Sequence, residues 1–196
     1  MKKEDDTSGI RLLIRCIVKD HDGKVVSDTG DRPANSFVLQ FLEYIYYMAL
    51  TGNQFSTTTD AGEQWIYYGA DPNLNMFYVV AAIALDAYGI VVGTGDTAVD
   101  NEDIILDVQL TEGSALGEIS HGEGTVGAAG VQGANVDMLL SRDFTNNTGA
   151  AISIKEVGVY ARSGSRNFCI IRDLVGPVNV PRFCSLAVRY TIRTTV

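Results

Sequence analysis

Apolar and polar side chains alternate along much of this chain. Ile10, Leu12, Ile14, Cys16 and Val18 fall on one side of a period-two pattern, with Arg11, Arg15 and Lys19 on the other. That pattern predicts a half-buried strand. Asp22-Gly23 predicts a hairpin turn, followed by a short partner strand over 24–27. The same alternation fills the last third. Val136, Met138 and Leu140 share one face, and residues 151–161 and 167–175 predict two more strands. Over 184–196, Cys184, Leu186, Val188, Tyr190, Ile192 and Val196 oppose Ser185, Ala187, Arg189, Thr191 and Arg193. Helical spacing is convincing once. Phe37, Phe41, Ile45 and Met48 recur after Pro33 and a cap at Asn35 or Ser36, and Gly52 closes the run. This predicts a helix over about 35–51 whose apolar stripe packs on a sheet.

The middle of the chain is less regular. Residues 55–88 are aromatic and β-like, with either consecutive strands or a short helix around 80–87. Residues 104–110 predict a short strand, and 113–133 a Gly-rich loop with Gly124, Gly127, Gly130 and Gly133 three apart. The whole reads as mainly β: an antiparallel β-sandwich or jelly-roll-like body with one packed α-helix. A single domain over 1–196 is expected, with a hairpin-plus-helix subregion over about 9–52.

One strand breaks its own rhythm. Ile152 and Ile154 alternate with Ser153 and Lys155, but the next apolar positions are Val157 and Val159. In an uninterrupted strand Glu156 would share the face of Ile152 and Ile154, where an unpaired carboxylate is costly. Two structural solutions follow. Either a β-bulge at Lys155-Glu156 restores the apolar face, or an inward Glu156 pairs with an arginine such as Arg172.

Charge changes the picture. The net charge is −9 and the pI about 4.6, which argues against tracking a phosphate backbone. From Asp96 to Asp107 there are five acids and no base. From Arg162 to Arg193 there are six arginines and one acid, Asp173. This segregation suggests a subunit interface in which Asp96, Asp100 and Asp103 of one copy face Arg189 and Arg193 of the next, against the alternative of solvated clusters. The three cysteines lie in apolar runs without a C-x-x-C, as buried free thiols do. Asn146-Asn147-Thr148 reads as a turn rather than a glycosylation site. The charged start, MKKEDDTSG, resembles no secretion signal, and the longest apolar stretch is interrupted by Asp86 and Gly89, so no membrane association is expected.

Candidate chemistry is sparse. His21 and His121 sit in turn-like contexts outside any metal-binding spacing. The VGTGDT turn at 92–97 lacks the third glycine of a dinucleotide site and the lysine of a P-loop. The acids of 96–107 do not follow an EF-hand, which leaves only an irregular Ca²⁺ site there, and nothing places two of them across a hydrolytic cleft. Neither an enzyme nor a cofactor is expected.

Several stretches in order, ANSFVLQFLEYIY, IVVGTGDTAV, SRDFTNNTGAAISIKEVGVYAR, IIRDLV and LAVRYTIRT, resemble a pattern in accessory structural proteins of tailed-bacteriophage virions. The matching positions include Gly93, Gly95, Thr97, Arg142, Phe144, Asn147, Gly149, Glu156, Gly158, Arg172-Asp173 and Tyr190-Thr191-Ile192. The likeness covers about 20–50 and 90–195. It implies a non-enzymatic virion subunit of neck, tail or capsid surface, assembled in the host cytoplasm and partnered by copies of itself and other virion proteins. A receptor- or carbohydrate-binding fibre or decoration module is the alternative, with Trp65, Tyr67, Tyr68 and Tyr78 as its binding face.

Overall fold

The computed structural model describes residues 9–34, 36–49, 54–68 and 78–195. In chain order the elements are β1 (Gly9–Lys19), β2 (Val25–Asp28), β3 (Arg32–Pro33), β4 (Ser36–Phe37), α1 (Leu39–Ala49), β5 (Gln54–Thr58), β6 (Gln64–Tyr68) and β7 (Gly89–Gly93). Then follow β8 (Thr111–Glu112), β9 (Glu118–Val126), β10 (Gly130–Gln132), β11 (Asn135–Thr145), β12 (Ile152–Ser163), β13 (Arg166–Val180) and β14 (Ser185–Thr195). The large sheet runs β2-β1-β14-β11-β9-β8, with β10 beside β11 and β3 beside β1. The small one runs β4-β13-β12-β7, and β5-β6 form a separate hairpin.

The two sheets share one core, which makes the body sandwich-like. Ile14, Cys16, Val18, Phe144, Leu186 and Val188 from the large sheet meet Ile90, Val92, Ile154, Val157, Val159, Phe168 and Ile170 from the small one. The alternation read from β1 and β14 is the one that builds this layer. Their register pairs Ile14 with Tyr190 and Cys16 with Val188, so every second residue of both strands points inward.

The small sheet is covered on its other face too, by irregular chain. Val38, Ala81, Tyr88, Val91, Leu106, Tyr160 and Cys169 form a second cluster there. Its lid consists of segments 79–88 and 94–110. The short helix left open as one reading of 80–87 does not form, nor does the predicted strand at 104–110. Apart from the bridge of Gln109 to Gly93, both regions are turns and bends. Unpaired backbone under such a lid must find donors or acceptors among side chains.

Two further expectations are corrected. The Gly-rich loop is largely β9 and β10, where Gly122 lies close against β11 and Gly124 against the 79–88 segment: a Cβ on Gly122 would meet the Asp143 carbonyl oxygen at 2.7 Å, and one on Gly124 the Ala81 nitrogen at 3.1 Å. The helix begins at Leu39, because Ser36 and Phe37 instead pair with Arg172 and Ile171 of β13. The region of its expected stop, Gly52, lies outside the described residues. Among the described side chains, only the start of its apolar stripe is packed. Phe41 stacks on Phe37 with ring centroids 3.8 Å apart, whereas Leu42, Ile45 and Tyr46 are exposed. The side chain of Met48 is outside the described set.

Candidate functional site

The densest polar construction lies under the lid of the small sheet, around Glu156. The β12–β13 register shifts between Ile154 and Glu156. There Lys155 stands opposite three residues of β13, Val175, Gly176 and Pro177. The slip is therefore at Lys155, but the surplus residues belong to the partner strand. Pro177 has no N–H to donate to a ladder, and Gly176 takes φ +64°, a conformation that favours glycine. The result is that Val157 and Val159 join Ile154 in the core between the sheets, while Glu156 turns to the lid side.

Glu156 is fully buried and fully engaged. Its Oε1 accepts the N–H groups of Gly95 at 3.1 Å and Val108 at 2.7 Å. Its Oε2 accepts the N–H of Asp107 at 3.0 Å, together with Nε and Nη2 of Arg172 at 3.3 and 3.1 Å. Arg172 continues the network to Asp103 Oδ2 at 2.6 Å and to the Thr97 carbonyl at 3.1 Å. Burial alone would lower the Arg172 pKa. The hydrogen bonds and charges of Asp103 and Glu156 outweigh it and raise the net value. Gly93 and Gly95 are required by this closeness: a Cβ on either would approach Glu156 Oε1 within 2.6 or 2.5 Å. One carboxylate and one guanidinium thus fasten residues 94–108 to the sheet.

A second fastening lies at Arg142. Alternation along β11 carries the core face from Leu140 to Phe144 through Arg142, so this arginine is directed into the interior, where it is 1% exposed. It donates to five backbone carbonyls: Gly122, Tyr88, Ile90, Ala82 and Leu85. Four of these carbonyls, those of Ala82, Leu85, Tyr88 and Ile90, belong to the irregular stretch before and into β7, and that of Ala82 also accepts the Leu85 N–H at 3.3 Å. Burial lowers its pKa to about 10, which leaves it charged at neutral pH. The sequence reading does not single it out for this role; continuing the alternation of Val136, Met138 and Leu140 by two residues is the signal that places it on the core face.

His121, expected in a solvated turn, is instead buried within β9. Its Nδ1 lies 3.1 Å from Glu112 Oε2 and 2.9 Å from the Ile119 carbonyl, and Phe144 meets the ring edge-on. Nε2 is buried without a hydrogen-bond partner. Burial, and then the charge of Arg142, push its pKa down, with Glu112 opposing. Asn146 is likewise buried. Its Nδ2 donates to the Ala150 and Val180 carbonyls and its Oδ1 accepts from Thr148, so the Asn-Asn-Thr stretch is an internally bonded turn. Tyr190 is buried too and donates to Asp173 Oδ2 at 2.7 Å.

The charges expected at a subunit interface already have uses inside the chain. Asp103 pairs with Arg172, Asp96 with Lys155 at 2.8 Å, and Arg193 with Asp137 at 2.7 Å. Asp100 Oδ1 accepts the N–H of Glu102, while Arg189 lies opposite Arg15 and Ser141 in the large sheet. The acidic and basic groups are therefore not brought together within the chain, and three of the five carry intramolecular ion pairs. Among the described residues no cluster of three or more His, Cys, Asp or Glu side chains is arranged to hold a metal. Of the proposed aromatic binding face, Tyr78 is half exposed and lies near Tyr88. The side chains of Trp65, Tyr67 and Tyr68 fall outside the described residues.

No protein-family model, curated protein or solved structure matches the chain.

Proposed function

We propose that this protein is a non-enzymatic structural subunit of a tailed-bacteriophage virion, associated with neck, tail or capsid, that assembles with copies of itself and with other virion proteins. The reading starts from the ordered run of motifs that resembles virion accessory proteins. The observation that supports it best is what those motif residues do. Gly93, Gly95, Thr97, Arg142, Glu156 and Arg172 all serve to pin loop backbone onto the sandwich. Their polar atoms are directed at main chain, at one another, and at Asp103 and Asp107 of the same lid. A body whose loops are locked by buried charges suits a part that must present a fixed shape to its neighbours.

The test is direct. Purified full-length protein, measured by mass photometry and negative-stain imaging, is expected to give discrete multimers or ordered arrays. Antibodies against it are expected to label a fixed position on purified particles. A protein that remains monomeric across the micromolar range, and that is absent from particles, overturns the proposal.

A further inference from the structure

Among the described residues, the sandwich is left open at one end. Three successive rows cross the inner face of the large sheet. Ile14, Tyr190 and Leu140 are paired across strands and almost fully buried. The next row, Leu12, Ile192 and Met138, lies at the margin of the core. The last row is Ile10, Thr194, Val136 and Val131, linked strand to strand by the register of β1, β14, β11 and β10. There Ile10 is 72%, Val136 38% and Val131 77% exposed. Side by side with this ledge lie the uncovered residues of α1. Leu42 and Ile10 line one groove of about 570 Å³ together with Phe37, and Phe37 also borders an almost wholly apolar cavity of about 340 Å³ with Tyr78 and Met138.

We infer that this open end is the contact between two copies of the chain, the same surface being used by both. Three observations favour a second copy as the occupant. First, area: Ile10, Leu42, Tyr46, Tyr78, Val131 and Val136 expose on the order of 700 Å² of mostly apolar surface. That exceeds the few hundred Å² usual for a monomer's largest patch and approaches the ~800 Å² per partner of a stable interface. Second, charge: residues 124–136 contain no charged side chain, and α1 has only Glu43, which accepts a hydrogen bond from Thr57. The groove itself is lined by one charged residue, Arg11, so two copies of a chain carrying −9 meet here without setting acid against acid. Edge strands that stay single are usually guarded by charge, and β10 has none. Third, shape: the ridge of α1 adjoins the groove beside it, so a two-fold operation seats each ridge in the other copy's groove.

The inference rests on the self-association proposed above and is tested apart from it. Ile10→Lys and Val131→Lys change exposed positions, and circular dichroism verifies their fold. Mass photometry of each, beside the unaltered protein, is expected to show association weakened about 100-fold, as for a charge forced into an apolar contact. Val131→Cys provides a milder probe. The native Cys16, Cys169 and Cys184 are buried, so a bismaleimide is expected to join two copies through residue 131 alone. If the unaltered protein associates while both Lys variants associate equally well and residue 131 does not cross-link, the contact lies elsewhere and this inference falls, with self-association intact. If the unaltered protein is monomeric and residue 131 stays uncross-linked, both fall, and the open end belongs to a different occupant.

Discussion

Replacing Glu156 by glutamine removes one charge and almost no volume, so it isolates the electrostatic role of the residue. The two carboxylate oxygens divide five donors: Gly95 and Val108 on one, Asp107 and two nitrogens of Arg172 on the other. An amide has one acceptor oxygen. Whichever way it turns, its NH₂ must face either the Gly95 and Val108 amides or the Asp107 amide and Arg172. Removing one partner of a buried pair costs about 3–5 kcal/mol. The lower end is expected here, because Arg172 keeps Asp103 and the Thr97 carbonyl. For a domain of this length each kcal/mol moves Tm by about 2–4 °C, so a drop of roughly 6–12 °C is anticipated. Urea unfolding supplies the free energy, and hydrogen exchange locates it. The amides of Gly95, Asp107 and Val108 should lose protection first, while core amides of β14 should change only with global stability. Adding Arg172→Met to the Gln variant should recover part of the loss, since the buried guanidinium is then gone and the partly exposed Asp103 keeps the Asp100 N–H. A loss below about 1 kcal/mol, with those three amides still protected, would refute the account of Glu156 as the fastening of the lid.

Two other outcomes follow from the same structure. Arg142→Met keeps the aliphatic stem but takes a donor from five carbonyls, of which that of Ala82 keeps the Leu85 N–H, and should cost about 3–5 kcal/mol, with exchange rising selectively over 82–90. His121 is held neutral by burial and by Arg142, so its folded pKa lies below the usual 6.5. Below that value the unfolded chain takes up a proton the folded chain resists. Its contribution is therefore complete above about pH 6.5 and is lost as pH falls toward the depressed folded value. Glu112, Asp86 and Arg142 surround this site and remain in a His121→Gln variant. Urea midpoints measured from pH 7.5 downward should fall less steeply in that variant. An identical slope would assign the acid sensitivity to the carboxylates instead.

Strand periodicity by itself determined the β character and the inner faces of β1, β11 and β14, because pleated alternation is a local property that burial then uses directly. It also exposed the slip after Ile154. What it left open was how the slip is made, because the surplus residues sit on β13 and only pairing reveals them. Periodicity misled at 104–110, where no strand forms, and did not settle 80–87. These segments have no repeating pattern of their own, and their conformation is imposed by Arg142, Glu156 and Arg172 reaching from distant strands. The acidic run around Asp103 and the arginine-rich end appeared separable along the chain. Folding brought Asp103, on the irregular lid, to Arg172 of β13, and the β11–β14 register set Asp137 opposite Arg193. The uncovered ledge at Ile10, Val136 and Val131 is likewise a tertiary fact. Each residue obeys the alternation that buries its strand-mates, and only the extent of the opposing layer decides that it stays in water.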